Sequence, residues 1–155
     1  MFEFGGKLFR VNTVLLLYRF HEGCQTLGVD EKSIWRVRLS FLEKYILPKW
    51  SKFSIWSAGK QGKRLFRDLS CDSQERVESF CDVDPKKIGK NYEYQETNKR
   101  PKPLYPIVHF SKVKPPVVIS VKTGLPNNQR LNEPGLEDNI ALLNMTEGED
   151  YIHFG

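Results

Sequence analysis

Cysteine is scarce in this chain: Cys24, Cys71 and Cys81 are the three among 155 residues, and no C-x-x-C pair occurs. An odd count without that spacing argues against a disulfide framework and a zinc ribbon. Each thiol reads instead as a small buried hydrophobe. An apolar run near the roughly 18–20 residues that span a bilayer is also missing. The short run through Leu15, Leu16 and Leu17 is bounded by Asn12 and Arg19 and suits a strand. The chain opens Met-Phe-Glu-Phe-Gly-Gly, with an acid where a secretory signal carries basic residues. No internal repeat or low-complexity tract is present. These absences predict a reducing, cytoplasmic or nuclear setting and no membrane span.

Basic residues are absent from residues 131–155, which hold 6 acids (Glu133, Glu137, Asp138, Glu147, Glu149 and Asp150). The net charge of +5 therefore resolves into a basic body of +11 and an acidic end of −6. The densest stretch, residues 36–67, carries 9 basic residues against Glu43 alone. A long field of one sign attracts polyanions or nucleotides, and it also makes a well-solvated surface. The 39% apolar content in a single-domain length is enough to bury a core, and it argues against disorder.

Residues 9–18 read as a buried strand rich in Leu and Val, followed by a polar loop. Asp30 is a candidate N-cap for a helix with Ile34, Val37, Phe41, Leu42, Tyr45 and Ile46 at helical spacing. Arg36, Glu43 and Lys44 lie on its other face, and Pro48 stops it for want of an amide. From Lys52 the pattern becomes strand–turn–helix. Residues 53–56 form a strand, 57–62 a turn, 63–69 a helix and 76–81 a second strand. Residues 91–106 are polar, with Pro101 and Pro103, and read as loop or extended chain. A brief apolar segment covers 107–110. The β-branched run at 116–121 is the clearest buried strand. A polar loop follows at 127–132, then helical spacing at Leu136, Ile140 and Leu143, then a short strand at 150–154. Alternation of this kind predicts an α/β fold, a Rossmann-like three-layer domain with a mostly parallel sheet.

The sharpest motif is Ser57-x-Gly59-x-x-Gly62, the dinucleotide fingerprint with Ser at its first glycine. It follows a predicted strand and opens a predicted helix. The middle glycine admits a phosphate to the backbone, and the last lets helix and strand pack closely. The helix start adds free amides and a partial positive charge. Lys60, Lys63 and Arg64 supply formal charge nearby, and Asp82 ends the next strand, where a ribose-binding acid sits in such units. The bland reading is a tight turn that binds nothing. Asp82-Val83-Asp84 is also a D-x-D, able in principle to hold Mg or Mn, though the triplet is short and a strand end followed by a turn at Pro85 is the favoured explanation. Arg19 and His21 fall on one side of a strand, where they suit a phosphate or simple surface polarity. Lys99, Arg100 and Lys102, with Arg36 and Arg38, are candidate RNA contacts; the competing reading is a solvated loop. His109 and His153 sit in apolar surroundings and read as packed or rim histidines. No metal-ligating set is assigned.

Taken together, several stretches resemble the C-terminal part of an animal family 2 glycosyltransferase of the β-1,3-N-acetylglucosaminyltransferase-like, queuosine-tRNA galactosyltransferase kind. They are Leu15 to His21, Ile55 to Leu65, Phe80 to Asp84, Arg100 to Pro103, and His153-Phe154. The resemblance runs over nearly the whole chain and is specific in combination. It implies a remnant of a GT-A domain over 1–29, a connecting helix over 30–51 and a Rossmann-like accessory domain over 52–155. It also implies that Arg19 and His21 contact donor diphosphate or metal in the complete enzyme, which uses a UDP-sugar and a divalent Mn or Mg ion. Asp82-Val83-Asp84 then falls in the accessory domain and is not the catalytic D-x-D. A weaker resemblance links this domain to the small sugar-nucleotide-binding domains beside some sugar acyltransferases. The expected role is accessory to sugar transfer onto a modified tRNA nucleoside, with no cofactor of its own and no catalysis by this chain alone. The competing expectations are a free-standing nucleotide- or NAD(P)-binding module and an inert or regulatory truncated product.

Overall fold

The computed structural model describes residues 28–121 and 143–154. The chain divides into two compact units, Met1–Ile34 and Trp35–Gly155, and the second holds the sheet. The expected strand at 9–18, the pair Arg19 and His21, the loop at 127–132 and the helical positions Leu136 and Ile140 lie outside the described residues.

Six strands are found among the described residues: β1 (Phe53–Trp56), β2 (Val77–Asp82), β3 (Asn91–Glu93), β4 (Leu104–His109), β5 (Val117–Ile119) and β6 (Tyr151–His153). They form one sheet in the order β3-β4-β2-β1-β5-β6. Every pair is parallel except β3 with β4. The chain steps outward from β1 through β2 to β4, then returns to the other side of β1 as β5. That reversal makes the gap between β1 and β5 the switch point of the sheet. The fold is therefore an α/β domain with a mostly parallel sheet, an arrangement consistent with a Rossmann-like fold.

All four residues of β1 are buried, as expected of a central parallel strand covered on both faces. Its neighbours divide by the two-residue period of a strand. Ile55, Phe80, Ile107 and Val118 join one core with Leu65 and Phe66. Trp56, Cys81, Val117 and Ile119 join the other. Burying a side chain such as Phe80 contributes roughly 1.5–3 kcal/mol, so these two layers carry most of the stability.

The first face is covered by α2 (Lys60–Asp68) and by Trp35, Leu39, Leu42, Leu47 and Trp50. Phe66 is the centre of this layer, with the rings of Tyr92, Tyr94 and Tyr105 edge-on around it at 4.8–5.8 Å. On the second face, Phe110 stacks on Trp56 at 5.5 Å, beside Val113, Leu143 and Met145. Among the described residues this face carries the short helix Phe110–Lys112 and residues 143–145 rather than a long helix.

Helix α1 (Glu31–Phe41) starts where expected, with the Asp30 carbonyl accepting from the amides of Ser33 and Ile34. Its packed side differs from the expected one. Trp35, Leu39 and Ile46 pack on the core and Leu42 is buried, whereas Ile34, Val37 and Phe41 are exposed. Trp35 sets this rotation: its ring meets Phe154 edge-on at 4.8 Å, and its Nε1 donates to Asp68 at 2.8 Å. Before Pro48 the helix widens into a π turn at Leu42–Ile46 and then tightens at Leu47–Lys49. Pro48 has no amide to return to the preceding turn, which is where the regular pattern fails.

Two further differences are local. Helix α2 begins at Lys60, earlier than the expected residue 63, because Gly59 already takes the extended N-cap backbone. Helix α3 (Cys71–Glu75) stands in a segment with no expected element, and the Ser70 hydroxyl accepts from the Ser73 amide at its start. Its first residue is Cys71, so that thiol is exposed rather than buried; Cys81 is buried as expected. Burial, with the Asp82 charge beside it, pushes the Cys81 thiol far up.

Candidate functional site

The turn between β1 and α2 lies at the carboxyl ends of the strands, next to the switch point. In open α/β sheets this is where ligands bind. Ser57 holds φ at 120°. That backbone is a glycine conformation, and Ser57 stands where the fingerprint has its first glycine. A non-glycine residue held there costs roughly 1–3 kcal/mol, so the fold enforces the turn despite the side chain. The Ser57 hydroxyl accepts from the Gly59 amide at 3.2 Å.

Gly62 meets its expected requirement. A Cβ at this position would lie 1.8 Å from the Ser57 carbonyl oxygen and 3.3 Å from Ile55 Cγ2. Only a glycine lets α2 sit this close to β1, as the third position of the fingerprint demands. Gly59 is looser, with the Ser57 hydroxyl oxygen 3.3 Å and Lys87 Nζ 3.9 Å from a Cβ built there.

Asp82, at the end of β2, turns back to the turn. Its Oδ2 accepts from the Ala58 amide at 2.9 Å and from Lys87 Nζ at 2.9 Å, and its Oδ1 accepts from the Asp84 amide at 3.0 Å. Burial works against ionisation of this carboxyl. The Asp84 amide, the Lys87 ammonium and the Ala58 amide outweigh it and hold the group below the usual carboxylate range. A ribose diol would have to share an acid that already holds the turn. Asp82 and Asp84 do not suit a divalent cation either, because Lys87 Nζ stands 2.9 Å from the first and 3.8 Å from the second. Among the described residues no group of three His, Cys, Asp or Glu is placed to hold a metal ion.

The expected cations separate. Lys60 opens α2 and is exposed. Lys63 lies over the Tyr92 ring at 5.1 Å, and Arg64 lies over Trp35 at 4.1 Å with Asp68 at 3.7 Å. One turn into the helix, these two side chains run along its flanks to aromatic faces instead of back to the turn. The cation beside Gly59 is Lys87, which sequence reasoning missed. Its signal was present in Asp84-Pro85-Lys86-Lys87. The Asp84 carboxylate accepts from the Lys86 amide at 3.0 Å and its carbonyl from the Lys87 amide at 3.0 Å, a turn that folds Lys87 back over the strand end.

Ser120 closes the other side of the switch point, its amide and hydroxyl both donating to the Trp56 carbonyl at 3.2 and 3.0 Å. His109 bonds the Ser111 hydroxyl at 2.7 Å and lies against Phe110. His153 stands 5.7 Å from the Tyr151 ring, with its Nδ1 buried.

The candidate RNA contacts are scattered too. Arg38 reaches the Phe154 carbonyl at 3.4 Å. Lys99 pairs with Glu75, Arg100 donates to the Thr97 and Lys99 carbonyls, and Lys102 bonds Gln95. Lys99 ties its loop to α3, and Arg100 and Lys102 bond within their own segment. Arg36 is exposed on α1.

Among the described residues no helix is long and apolar enough to cross a membrane. No protein-family model matches this chain, and neither does any solved structure.

Proposed function

We propose that this chain is the C-terminal accessory region of a family 2 glycosyltransferase that moves a sugar from a UDP-sugar to a modified tRNA nucleoside. In this reading the body from residue 52 is a Rossmann-like module that takes the nucleotide's phosphates at the Ser57–Gly62 turn. Residues 1–29 are the end of the GT-A domain, with Arg19 and His21 toward the donor. The divalent Mn or Mg ion belongs to that domain.

One observation carries the nucleotide part of the reading. A glycine turn at the switch point of a parallel sheet opens a nine-residue helix, with the Lys87 ammonium beside its Gly59. Helix amides suit a diphosphate, and the Lys87 ammonium adds a donor there while it stays paired with Asp82 and Asp84. The transferase part is supported by the combination of stretches that carry the family resemblance. A free-standing NAD(P)-binding module is the second reading, favoured by Asp82 at the end of β2.

Calorimetry with a UDP-sugar, UDP, NAD and NADP separates the two. Saturable heat with the uridine ligands and none with the dinucleotides is expected. Heat with NAD or NADP alone moves the assignment to the second reading. Sugar-transfer assays on this chain are expected to be blank, and measurable transfer would overturn its accessory role.

A further inference from the structure

The sheet ends differently on its two sides. At one edge β6 is half-buried along its length, from Tyr151 to His153. At the other edge Asn91 and Glu93 of β3 are exposed, with Tyr92 half-buried between them. Among the described residues no strand lies beyond β3. The Lys90 carbonyl accepts from the Ile107 amide at 2.8 Å, and the Tyr94 amide donates to the Pro103 carbonyl at 3.1 Å. These two residues and Tyr92 turn their backbone groups to β4, so Asn91 and Glu93 turn theirs outward. The Tyr92 and Tyr94 side chains share one face, edge-on to Phe66 at 5.8 and 5.1 Å, and Asn91 and Glu93 share the other.

An edge of this kind is a template for another strand, and no proline in 90–94 blocks a donor. The stretch Lys90-Asn91-Tyr92-Glu93-Tyr94 is complementary to itself when paired antiparallel about Tyr92. Asn91 then faces Glu93 of a second copy, where its side-chain amide can donate to the carboxylate. The outward amides and carbonyls of the same two residues meet as a hydrogen-bonded pair. Tyr92 faces its own counterpart as a close pair, and Lys90 faces the Tyr94 ring, a cation on an aromatic face. Centring the pairing on Glu93 instead sets two carboxylates face to face, which is destabilising. Centring it on Asn91 sets Gly89 opposite Glu93. Gly89 has already left the strand at φ 79°, and its amide is held by the Ile107 carbonyl at 2.9 Å.

We infer that two copies of this chain pair antiparallel along β3, about a two-fold axis through Tyr92. Such an interface is isologous, each copy giving the same residues. A strand of 3 residues makes a small contact, so the dimer forms as concentration rises through the micromolar range and comes apart on dilution. β4 and β2 stand between this edge and β1, so the pairing leaves the Ser57–Gly62 turn open.

Sedimentation velocity of the full chain over a concentration series tests the pairing. The parent is expected to pass from monomer to dimer as concentration rises. Asn91→Asp sets a carboxylate opposite Glu93, and Glu93→Lys removes the acceptor that faces Asn91. Each change enters the symmetric contact twice and should weaken the dimer about fivefold or more. Asn91→Asp/Glu93→Lys puts opposite charges across the same register and should bring the affinity back to within about threefold of the parent. Asn91→Pro removes an outward donor, a change that an edge strand tolerates, and should leave the chain monomeric. All the altered side chains are exposed, and an unchanged far-ultraviolet circular dichroism spectrum secures the comparison. A parent chain that stays monomeric up to about 1 mM overturns the inference. So does a dimer that the single variants leave unchanged, or a double variant no tighter than either single one.

Discussion

Gly62 and Asp82 are the residues on which the turn depends, for opposite reasons. Gly62 is required by space. Gly62→Ala places a methyl inside the contact distance of the Ser57 carbonyl, so α2 must move off β1. Overpacking of this kind costs about 1–3 kcal/mol, and the denaturant midpoint should fall accordingly, with loss of any nucleotide binding. Asp82 is required by charge. Its carboxyl lies below its ordinary value in the folded chain, so folding favours the ionised form. The stability this contributes is complete above the unfolded value of about 3.9 and is lost as pH falls through the lower folded value. Asp82→Asn should flatten the fall in stability on acidification below about pH 4, as read from thermal melts across pH. A variant whose acid limb matches the parent's would count against this assignment. At this scale the sequence was legible where a rule is steric. The two glycines and the strand-end acid could be named, whereas Lys87 could not, because it reaches Gly59 only through the turn after Pro85.

Among the elements, the join between the helical segment and the sheet rests on Arg76. Its guanidinium donates to the Leu47 and Trp50 carbonyls at 2.8 and 3.2 Å, and to the Ser73 hydroxyl and the Asp72 carbonyl. The Leu47 carbonyl already accepts from the Trp50 amide at 3.0 Å, and Arg76 adds a second donor to it while holding the Trp50 carbonyl where the segment ends. Arg76→Met keeps the aliphatic stem and removes the donors. It should lower stability by about 1.5–3 kcal/mol, the range of hydrogen bonds to a charged group, and speed hydrogen exchange in residues 42–50. Exchange unchanged there would place the join elsewhere. The periodicity located α1 and put Leu42 and Ile46 on the core side, but it grouped with them Ile34, Val37 and Phe41, which are exposed. The helix has apolar residues on two sides, and pattern alone cannot say which side meets the core. Trp35 decides it, through Phe154 and Asp68 over a hundred and more than thirty residues away. The parallel strands β1, β2, β5 and β6 were legible as short apolar runs, the β-branched one at β5 most clearly; β4 showed only as the brief apolar segment at 107–110, and β3 and α3 did not show, being short and held by the aromatic group around Phe66 and the Ser70 cap.

For the whole molecule, alternation of strands and helices was enough to anticipate a mostly parallel sheet, but not its order. The return of β5 to the far side of β1 creates the switch point, and no local signal encodes that return. Charge works at this scale as well. The basic body and the acidic end predict polyanion binding that weakens steeply with salt, read from binding to heparin across a salt series. The central claim is narrower: the turn beside Lys87 takes the phosphates of a sugar nucleotide. Calorimetry of the full chain with a UDP-sugar, against Lys87→Met, tests it most directly. The account predicts saturable one-site heat with the parent chain and affinity about tenfold or more weaker in the variant. A flat trace with the parent, or equal affinity in both, contradicts it.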